Sequence, residues 1–307
     1  MADINGMRLY PEEAVSAIAS AIRAQVPTYS SSTWKVSQMA SRIASIRVTS
    51  TPENIIVQRS NGGMTSGYQL DVDNFSLLRS YAFYNYSELG GVSFPSCTKV
   101  SNHAFYGCTK LKTANLPLCS SLGSYAFYGC TALLSVSLPI CQYVTSYAFY
   151  GCESLSAIIL PSCTSMSMYA FQGCYNLKTV SIPSLRYIPN SVFKSCSSLT
   201  TVSLPSTWGV SGYTFAYCEN LSTLTLPALS VIYSNYCFRG CVRLISLYLP
   251  GSRIVSLINK SAFVSTPIGG YSTTAGQYGS VYVPSSLLAS YKAATNWTTI
   301  SDRIVGV

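Results

Sequence analysis

The chain has 307 residues, of which 48% are hydrophobic and only 9% are charged, and its formal net charge is +9. This length and hydrophobic content are sufficient for a continuous core. The 19 basic residues are scattered along the chain, so the sequence predicts no nucleic-acid partner. No stretch of 18 apolar residues occurs, and we therefore expect no membrane insertion.

Residues 1–66 precede the repeats and predict a small helical N-terminal module followed by a joint. Pro11, followed by two glutamates, is typical of the first turn of a helix, and Ser37 can cap a second helix. A strand is predicted at residues 55–57, before the turn signal Asn61-Gly62-Gly63. The first six residues do not resemble a signal peptide, so we expect synthesis in the cytoplasm.

Residues 67–265 carry an internal repeat of 22 residues, present in about nine copies. The copies share a phenylalanine at positions 83, 105, 127, 149, 171, 193, 215, 238 and 263, the last two after small insertions. A single copy of this length cannot bury its own apolar face, so the copies are expected to stack as the coils of a solenoid. Neighbouring coils would then lie about 4.8 Å apart.

Within each copy, apolar residues follow the spacing of a leucine-rich repeat, as in Leu111, Ala114, Leu116 and Cys119. The two middle positions alternate like a short strand with one buried face, and the proline that follows ends the strand. The glycine after Phe-Tyr, such as Gly129, is typical of a turn with positive φ. The predicted fold is a leucine-rich repeat solenoid of short parallel strands, turns and 3-10 segments. A further inward set is predicted at Leu122, Ala126, Phe127, Cys130 and Leu133.

The pattern Ala-Phe-x-x-Cys-x-x-Leu-x-x-Val-x-Leu-Pro, shared by many copies, resembles the BspA-type leucine-rich repeats of bacterial surface antigens. The resemblance covers about residues 68–265. Members of that family are mostly non-enzymatic, and those characterised act in adhesion or ligand binding. The resemblance therefore implies a binding protein, whereas the spacing alone predicts only the architecture.

A second resemblance concerns the N-terminal module. Ala19-Ser20-Ala21-Ile22-Arg23, a Ser/Thr-rich loop and residues 37–46 together resemble a segment common in phage and prophage structural proteins. In those proteins the segment often precedes a variable module in chains associated with the tail or baseplate. This resemblance implies other phage tail proteins as partners.

Residues 266–307 are predicted to form a loop and an α/β C-terminal cap. A strand is expected at residues 281–283, and Ser285 is expected to cap a helix that reaches about Ala294. The end of the solenoid would be closed by Trp297, Ile300, Ile304 and Val305. This segment is similar to the closing segment of many BspA-type repeat proteins.

Eleven of the twelve cysteines fall into two series that follow the repeat. The first is Cys97, Cys119, Cys141 and Cys163, and the second is Cys108, Cys130, Cys152, Cys174, Cys196, Cys218 and Cys241. Both series occupy inward positions, where cysteine serves as a small apolar residue, so we expect buried and reduced thiols. Disulfides between coils are the less favoured alternative, because in-register parallel strands rarely give the required geometry.

No pattern of catalytic or metal-binding residues is found. His103 is the only histidine and stands where other copies carry tyrosine, and no histidine accompanies the close pair Cys237 and Cys241. The ten acidic residues share no repeat position, and neither a phosphate loop nor a nucleophile motif occurs. We therefore predict no enzymatic activity, no metal and no cofactor.

Two rows of tyrosines form the candidate ligand-binding surface, one before each Ala-Phe pair and one after the phenylalanine. With Ala and Phe inward, these tyrosines should face outward together on a tight turn. The candidate residues are Tyr84, Tyr106, Tyr128 and Tyr150, flanked by Tyr125 and Tyr147. A structural alternative is that the rings only cover the side of the solenoid, half packed on neighbouring coils.

The strand face is the alternative site, because its outward positions form a small polar lane with few features. Its members are Asn115, Ser137, Ser181, Ser203 and Thr225. Two functions then remain open. The first is a non-enzymatic adhesion protein that recognises a protein or glycan on a cell surface. The second is a structural phage tail or baseplate component with the solenoid as scaffold. In either case we expect the protein to act extracellularly, on the cell surface or on a virion.

Overall fold

The computed structural model describes residues 3–4, 7–10, 55–59, 68–72, 76–87, 89–271 and 278–307, and the first four ranges as backbone only. Four strands form an antiparallel series in which each strand pairs with the next: β1 (Asp3–Ile4), β2 (Met7–Tyr10), β3 (Ile55–Arg59) and β4 (Tyr68–Val72). Strand β3 confirms the prediction at residues 55–57. Both predicted N-terminal helices lie outside the described residues.

The rest of the chain forms two rows of short strands, one strand of each row per coil. Row A comprises β6 (Leu89–Ser93), β8 (Thr113–Asn115), β10 (Ser135–Ser137), β12 (Ala157–Ile159), β14 (Thr179–Ser181), β16 (Thr201–Ser203), β18 (Thr223–Thr225), β20 (Ser246–Tyr248), β22 (Ser280–Val283) and β23 (Ile304–Gly306). Row B comprises β5 (Leu77–Leu78), β7 (Lys99–Val100), β9 (Ser121–Leu122), β11 (Tyr143–Val144), β13 (Ser165–Met166), β15 (Tyr187–Ile188), β17 (Gly209–Val210), β19 (Val231–Ile232) and β21 (Ser256–Leu257).

Pairing within both rows is parallel and follows the repeat, so equivalent residues of successive coils lie side by side. Val136 pairs with Ala114 in row A, and Val144 pairs with Leu122 in row B. The N-terminal strands join the solenoid through β4, which pairs in parallel with β6. The predicted parallel solenoid with a 22-residue period is confirmed.

A ladder of phenylalanines runs through the core along the solenoid axis. From Phe83 to Phe263 each ring stacks on the next, with ring centroids 5.0–5.8 Å apart. The apolar residues predicted to face inward around it are buried, among them Leu111, Leu116 and Leu122. Burial of this many side chains in a single cluster supplies the main stabilisation, because no coil has a core of its own.

The turn between row B and row A forms a third line of backbone hydrogen bonds between successive coils, in addition to the two rows of strands. Tyr125, Phe127 and Gly129 donate their backbone N–H groups to carbonyls of the following coil, over 3.0, 2.7 and 2.8 Å. Gly129 has a φ of 68°, and the other glycines predicted to need positive φ have it as well. Tyr125, with a φ of 59°, also lies in the left-handed region, which its residue type does not predict.

The C-terminal cap consists of short helices and the last strands of row A. Its helical segments are η1 (Lys260–Phe263), η2 (Ser285–Leu287), α1 (Leu288–Ala293) and η3 (Trp297–Arg303). The strand predicted at residues 281–283 is confirmed as part of β22. None of the described helices is long and apolar enough to cross a membrane.

The cap closes the phenylalanine ladder with Trp297, whose ring centroid lies 6.0 Å from that of Phe263. Its indole Nε1 donates to the carbonyl of Val255 over 2.7 Å, which satisfies the one polar atom of the buried ring. Two predictions about the cap are wrong. Ser285 is the first residue of the 3-10 turn η2, and the N-cap of the α-helix is Leu287. Val305 is exposed, since on β23 it alternates with the buried Ile304.

Candidate functional site

The two predicted tyrosine rows lie side by side and run parallel to the solenoid axis. We call them together the tyrosine strip. Its first row is Tyr81, His103, Tyr125, Tyr147 and Tyr169, and its second row is Tyr84, Tyr106, Tyr128 and Tyr150. Ring centroids are 5.6 Å apart between Tyr125 and Tyr128 in one coil, so the two rows are in contact. The six candidate tyrosines are thus brought onto one surface.

Within each row the rings stack face to face. Centroid distances are 4.7–4.8 Å along the first row and 4.7–4.9 Å along the second, and the ring planes differ by 20° or less. This is the spacing of the coils themselves, because one ring is attached to each coil. Both faces of an interior ring are therefore covered by its neighbours.

The stacking determines which part of each tyrosine a partner can reach. Interior rings such as Tyr106 and Tyr128 are half-buried. With both faces covered and the Cβ end attached to the turn, the accessible part is the outer edge that carries the hydroxyl. The strip thus offers phenol groups at regular intervals, and its chemistry is that of hydrogen bonding more than of ring stacking.

The phenol groups influence one another along the strip. Burial raises the pKa of Tyr128, and the neighbouring tyrosines Tyr106 and Tyr150 raise it further, since adjacent phenolates would repel each other. The pKa of Tyr147 is raised by the same two causes. Both groups are therefore neutral near pH 7 and can act as hydrogen-bond donors as well as acceptors.

His103 occupies a tyrosine position in the first row and keeps the stack continuous. Its ring lies between those of Tyr81 and Tyr125, at 4.7 and 4.8 Å. Burial lowers the pKa of His103, and its Nδ1 atom is buried without a hydrogen-bond partner. An imidazolium would place an unsatisfied N–H at that atom, so the neutral ring is favoured.

The aromatic character of the strip ends after its fifth coil. The second row continues with Gln172, Lys194 and, two coils later, Arg239. The Lys194 Nζ atom lies 5.4 Å from the ring centroid of Tyr213, and the Arg239 guanidinium carbon lies 5.0 Å from that of Tyr236. At both places a cation contacts the aromatic ring.

The strand face is less uniform than the sequence indicated. Asn115, Ser137, Ser203 and Thr225 are exposed as predicted, and Ser181 is half-buried. The lane is broken by Ile159, which is 61% exposed at the same register as Ser181. It ends at Tyr248, whose ring stacks on Tyr282 at 4.5 Å. The expectation of a small polar lane with few features is therefore wrong in the middle and at the C-terminal end.

All twelve cysteines are buried, as expected from their inward positions. In the first series each Sγ lies within hydrogen-bond distance of a carbonyl two residues further along, as Cys119 does with Ser121 over 3.3 Å. In the second series each Sγ donates to the turn carbonyl of the preceding coil, as Cys130 does to Phe105 over 3.1 Å. The turn carbonyls of the second series also accept a backbone N–H, as Phe105 does from Cys108 over 3.2 Å, so the thiol bonds to the second lone pair.

The described residues bring no catalytic constellation together. Across them, no group of three or more His, Cys, Asp or Glu side chains could hold a metal ion. Burial raises the pKa of the Cys141 thiol to about 12, so this thiol is not activated as a nucleophile.

A parallel solenoid with one strand per row in each coil and an apolar ladder inside defines a leucine-rich repeat protein. The sequence matches the family described as BspA type leucine rich repeat region, in six copies over residues 76–185, 120–245 and 164–275. These ranges span more than half of the chain, which belongs to this family. No curated protein sequence matches the chain.

Solved structures of leucine-rich repeat proteins are similar to this one. One from Eubacterium ventriosum is 23% identical with a TM-score of 0.50, over 68% of this chain and 69% of its own. One from Treponema (T. pallidum) is 26% identical with a TM-score of 0.45, over 52% and 86%. A leucine rich cell surface protein from Faecalibacterium prausnitzii is 18% identical with a TM-score of 0.39, over 78% and 89%. The Eubacterium structure supports the shared fold.

Proposed function

We propose that this protein is a non-enzymatic binding protein that recognises a protein or glycan on a cell surface through the tyrosine strip. The observation that carries the proposal is the continuous stack of half-buried rings with accessible phenol edges. Membership of the BspA-type family supports a binding role in general terms. The site of action that we propose is extracellular, on the cell surface or on a virion.

Stacking preorganises the rings of the tyrosine strip for binding. Each ring is held by its neighbours, so little side-chain entropy is lost when a partner forms hydrogen bonds with the hydroxyls. Because one hydroxyl per row is contributed by each coil, an elongated partner gains contacts with every coil that it covers. An extended glycan or the face of a surface protein meets this requirement better than a small molecule does.

The first test locates the binding surface. The variant Tyr106→Ser, Tyr128→Ser and Tyr150→Ser should bind intact bacterial cells or purified cell-wall glycan at least tenfold more weakly than the wild type, or about 1.4 kcal/mol. The matched control replaces Tyr143, Tyr175 and Tyr271, which are exposed elsewhere, by serine and should bind normally. Thermal unfolding of both variants establishes that each is folded at the temperature of the binding measurement.

The strand face provides the competing location. Replacement of Ser137, Ser203 and Thr225 by lysine places three charges on that face without touching the strip. Loss of binding in this variant, with normal binding in the serine variant of the strip, would move the site to the strand face. Wild-type protein that binds neither cells nor cell-wall glycan would contradict the binding function and favour the scaffold role in a phage tail.

A further inference from the structure

Three aromatic side chains from three successive coils lie together on row B, in the half of the solenoid beyond the tyrosine strip. Tyr187 is on β15, Trp208 directly precedes β17, and Tyr233 directly follows β19. Their ring centroids are 5.7, 5.9 and 6.0 Å apart, so each ring contacts the other two. They are 36%, 40% and 43% exposed. We call this group the aromatic cluster.

Gly209 allows the cluster to form. It pairs with Tyr187 across row B, at a register where other coils carry residues such as Lys99, Tyr143 and Val231. A Cβ atom at Gly209 would lie 3.1 Å from Cδ2 of Tyr187 and 3.2 Å from Cε2 of Tyr233, closer than ordinary van der Waals contact. The missing side chain leaves the space over the backbone in which the two tyrosine rings approach each other.

The orientation of the rings gives the cluster a shape suited to a flat, ring-shaped ligand. The planes of Tyr187 and Trp208 differ by 34°, whereas Tyr233 stands at 76° and 74° to them. Tyr187 and Trp208 are thus tilted against each other, and Tyr233 stands nearly perpendicular to both and forms a wall. Because the rings touch, no gap between them can enclose a ligand. A ligand must lie on their outer surface, as a sugar ring does when its C–H face packs on an aromatic face.

The neighbours of Trp208 add a charge and a hydroxyl. The backbone N–H of Trp208 donates to the backbone carbonyl of Arg186 over 2.9 Å, and the backbone carbonyl of Trp208 accepts from the backbone N–H of Ser230 over 2.8 Å. Arg186 and Ser230 therefore flank Trp208 in the two adjacent coils. Arg186 is exposed, and among the described residues no carboxylate pairs with it. Its guanidinium matches a carboxylate in geometry and charge, and it would repel a cationic ligand.

We propose that the aromatic cluster and Arg186 form a binding site for a sugar acid, a pyranose ring that carries a carboxylate. The ring packs on Tyr187 and Trp208 against the wall of Tyr233, and the carboxylate pairs with Arg186. This site is separate from the tyrosine strip and shares no residue with it. It therefore gives the solenoid a second recognition surface with its own ligand chemistry.

The test uses trigalacturonate as the acidic probe and galactotriose as the neutral probe of equal length. Trigalacturonate should change the fluorescence of the exposed Trp208 in a saturable manner, and galactotriose should bind at least tenfold more weakly. Tyr187→Ala and Tyr233→Ala should each weaken trigalacturonate binding at least tenfold. Arg186→Gln should abolish the preference for the acidic probe. Tyr143→Ala, at the same register of row B and 49% exposed, is the matched control and should bind normally.

Because the chain carries a net charge of +9, general attraction of anions must be separated from recognition. Triglutamate, with three carboxylates and no sugar ring, should bind at least tenfold more weakly than trigalacturonate. Equal binding of triglutamate, equal binding of the neutral probe, or unchanged binding by Tyr187→Ala would overturn the proposal. The serine variant of the tyrosine strip should bind trigalacturonate normally, so a failure of this site and a failure of the strip are distinguishable.

Discussion

His103 shows how a single residue enters a repeated structure without interrupting it. Its imidazole takes the place of a phenol ring in the first row of the tyrosine strip and stacks on both neighbours at the spacing of the coils. Two effects act on its protonation in opposite directions. Burial disfavours the imidazolium, whereas the faces of Tyr81 and Tyr125 attract a cation. Burial, which leaves Nδ1 without a hydrogen-bond partner, lowers the pKa of His103.

The first prediction concerns the pH dependence of stability. With the pKa of His103 lowered in the folded protein, the unfolded chain binds more protons near that pH. Stability from this residue is therefore complete above about pH 6.5 and is lost as the pH falls through the folded pKa. His103→Tyr, which restores the residue of the neighbouring coils, should lose less stability between pH 7.5 and pH 5 in urea unfolding. An NMR titration that placed the pKa above about 6.5 would contradict this prediction.

The positions of the cysteines are explained by the backbone carbonyls with which their thiols form hydrogen bonds. Burial raises the pKa of Cys119 to about 12, and the Sγ atoms of both series are directed at backbone oxygens inside the solenoid. A thiol in this state reacts slowly, because the thiolate is the nucleophile and the reagent has no access to it.

The second prediction follows from this burial. A thiol reagent should label few of the twelve cysteines in the native protein and nearly all of them after denaturation without reductant. Ser135→Cys, which places one thiol at an exposed position of row A, should add one rapidly labelled group and is the control for the reagent. Fewer than about eight free thiols after denaturation would instead reveal disulfides.

At the scale of one element, the turn is strained in a way that the strands are not. Each turn from Phe83 to Phe238 holds two residues in the left-handed region, one two positions before the phenylalanine and one two positions after it. The second position is glycine in several coils, such as Gly129, but serine at Ser195 and tyrosine at Tyr217. A residue with a Cβ atom pays a conformational penalty there, and the backbone bonds between coils hold it in place.

The third prediction measures this strain with two substitutions of opposite sign. A Cβ atom at Gly129 would contact nothing within 4 Å, so Gly129→Ala should destabilise the protein through the backbone alone, by about 1–2 kcal/mol. Ser195→Gly should stabilise it by about 0.5 kcal/mol, because relief of the strain is partly offset by the greater freedom of glycine in the unfolded chain. Both values come from urea unfolding. Stabilisation by Gly129→Ala would refute the assignment of strain to the turn.

The turn and the strands differ in how far the sequence predicts them. The strands can be predicted from the local alternation of buried and exposed positions, as at Ala114 and Leu116. The glycine turns can be predicted because glycine readily adopts positive φ. The left-handed conformation of Tyr125 cannot be predicted from the sequence, because tyrosine disfavours positive φ. The hydrogen bonds with the next coil impose this conformation. The break of the polar lane at Ile159 could have been predicted, because residue 159 lies 22 residues after Ser137 and 22 before Ser181.

The tyrosine strip and the aromatic cluster also differ in how far the sequence predicts them. The tyrosine strip recurs at fixed repeat positions, so its membership was predictable, but the covering of ring faces depends on how adjacent side chains orient. The aromatic cluster was not predicted, because Tyr187, Trp208 and Tyr233 hold three different positions of the repeat. Gly209 was the available signal, a glycine where neighbouring copies carry side chains, although its meaning depends on which residues lie across the row.

At the scale of the whole molecule, the solenoid has one continuous core, and few residues of the chain are charged. The strands β1–β4 extend row A at one end, and Trp297 covers the last phenylalanine at the other. Since the coils stack along one axis, surfaces that run along that axis are the largest features that the fold offers. The tyrosine strip is such a surface, with one phenol per row in each coil.

The most direct test of the account replaces Tyr106, Tyr128 and Tyr150 together by phenylalanine, which keeps the stacked rings and removes only their hydroxyls. Binding to the cells or cell-wall glycan recognised by the wild type should weaken at least tenfold, about 1.4 kcal/mol, with an unchanged melting temperature. Tyr143, Tyr175 and Tyr271 changed to phenylalanine form the control and should bind as the wild type does. Full binding by the first variant would contradict recognition through the phenol edges of the strip.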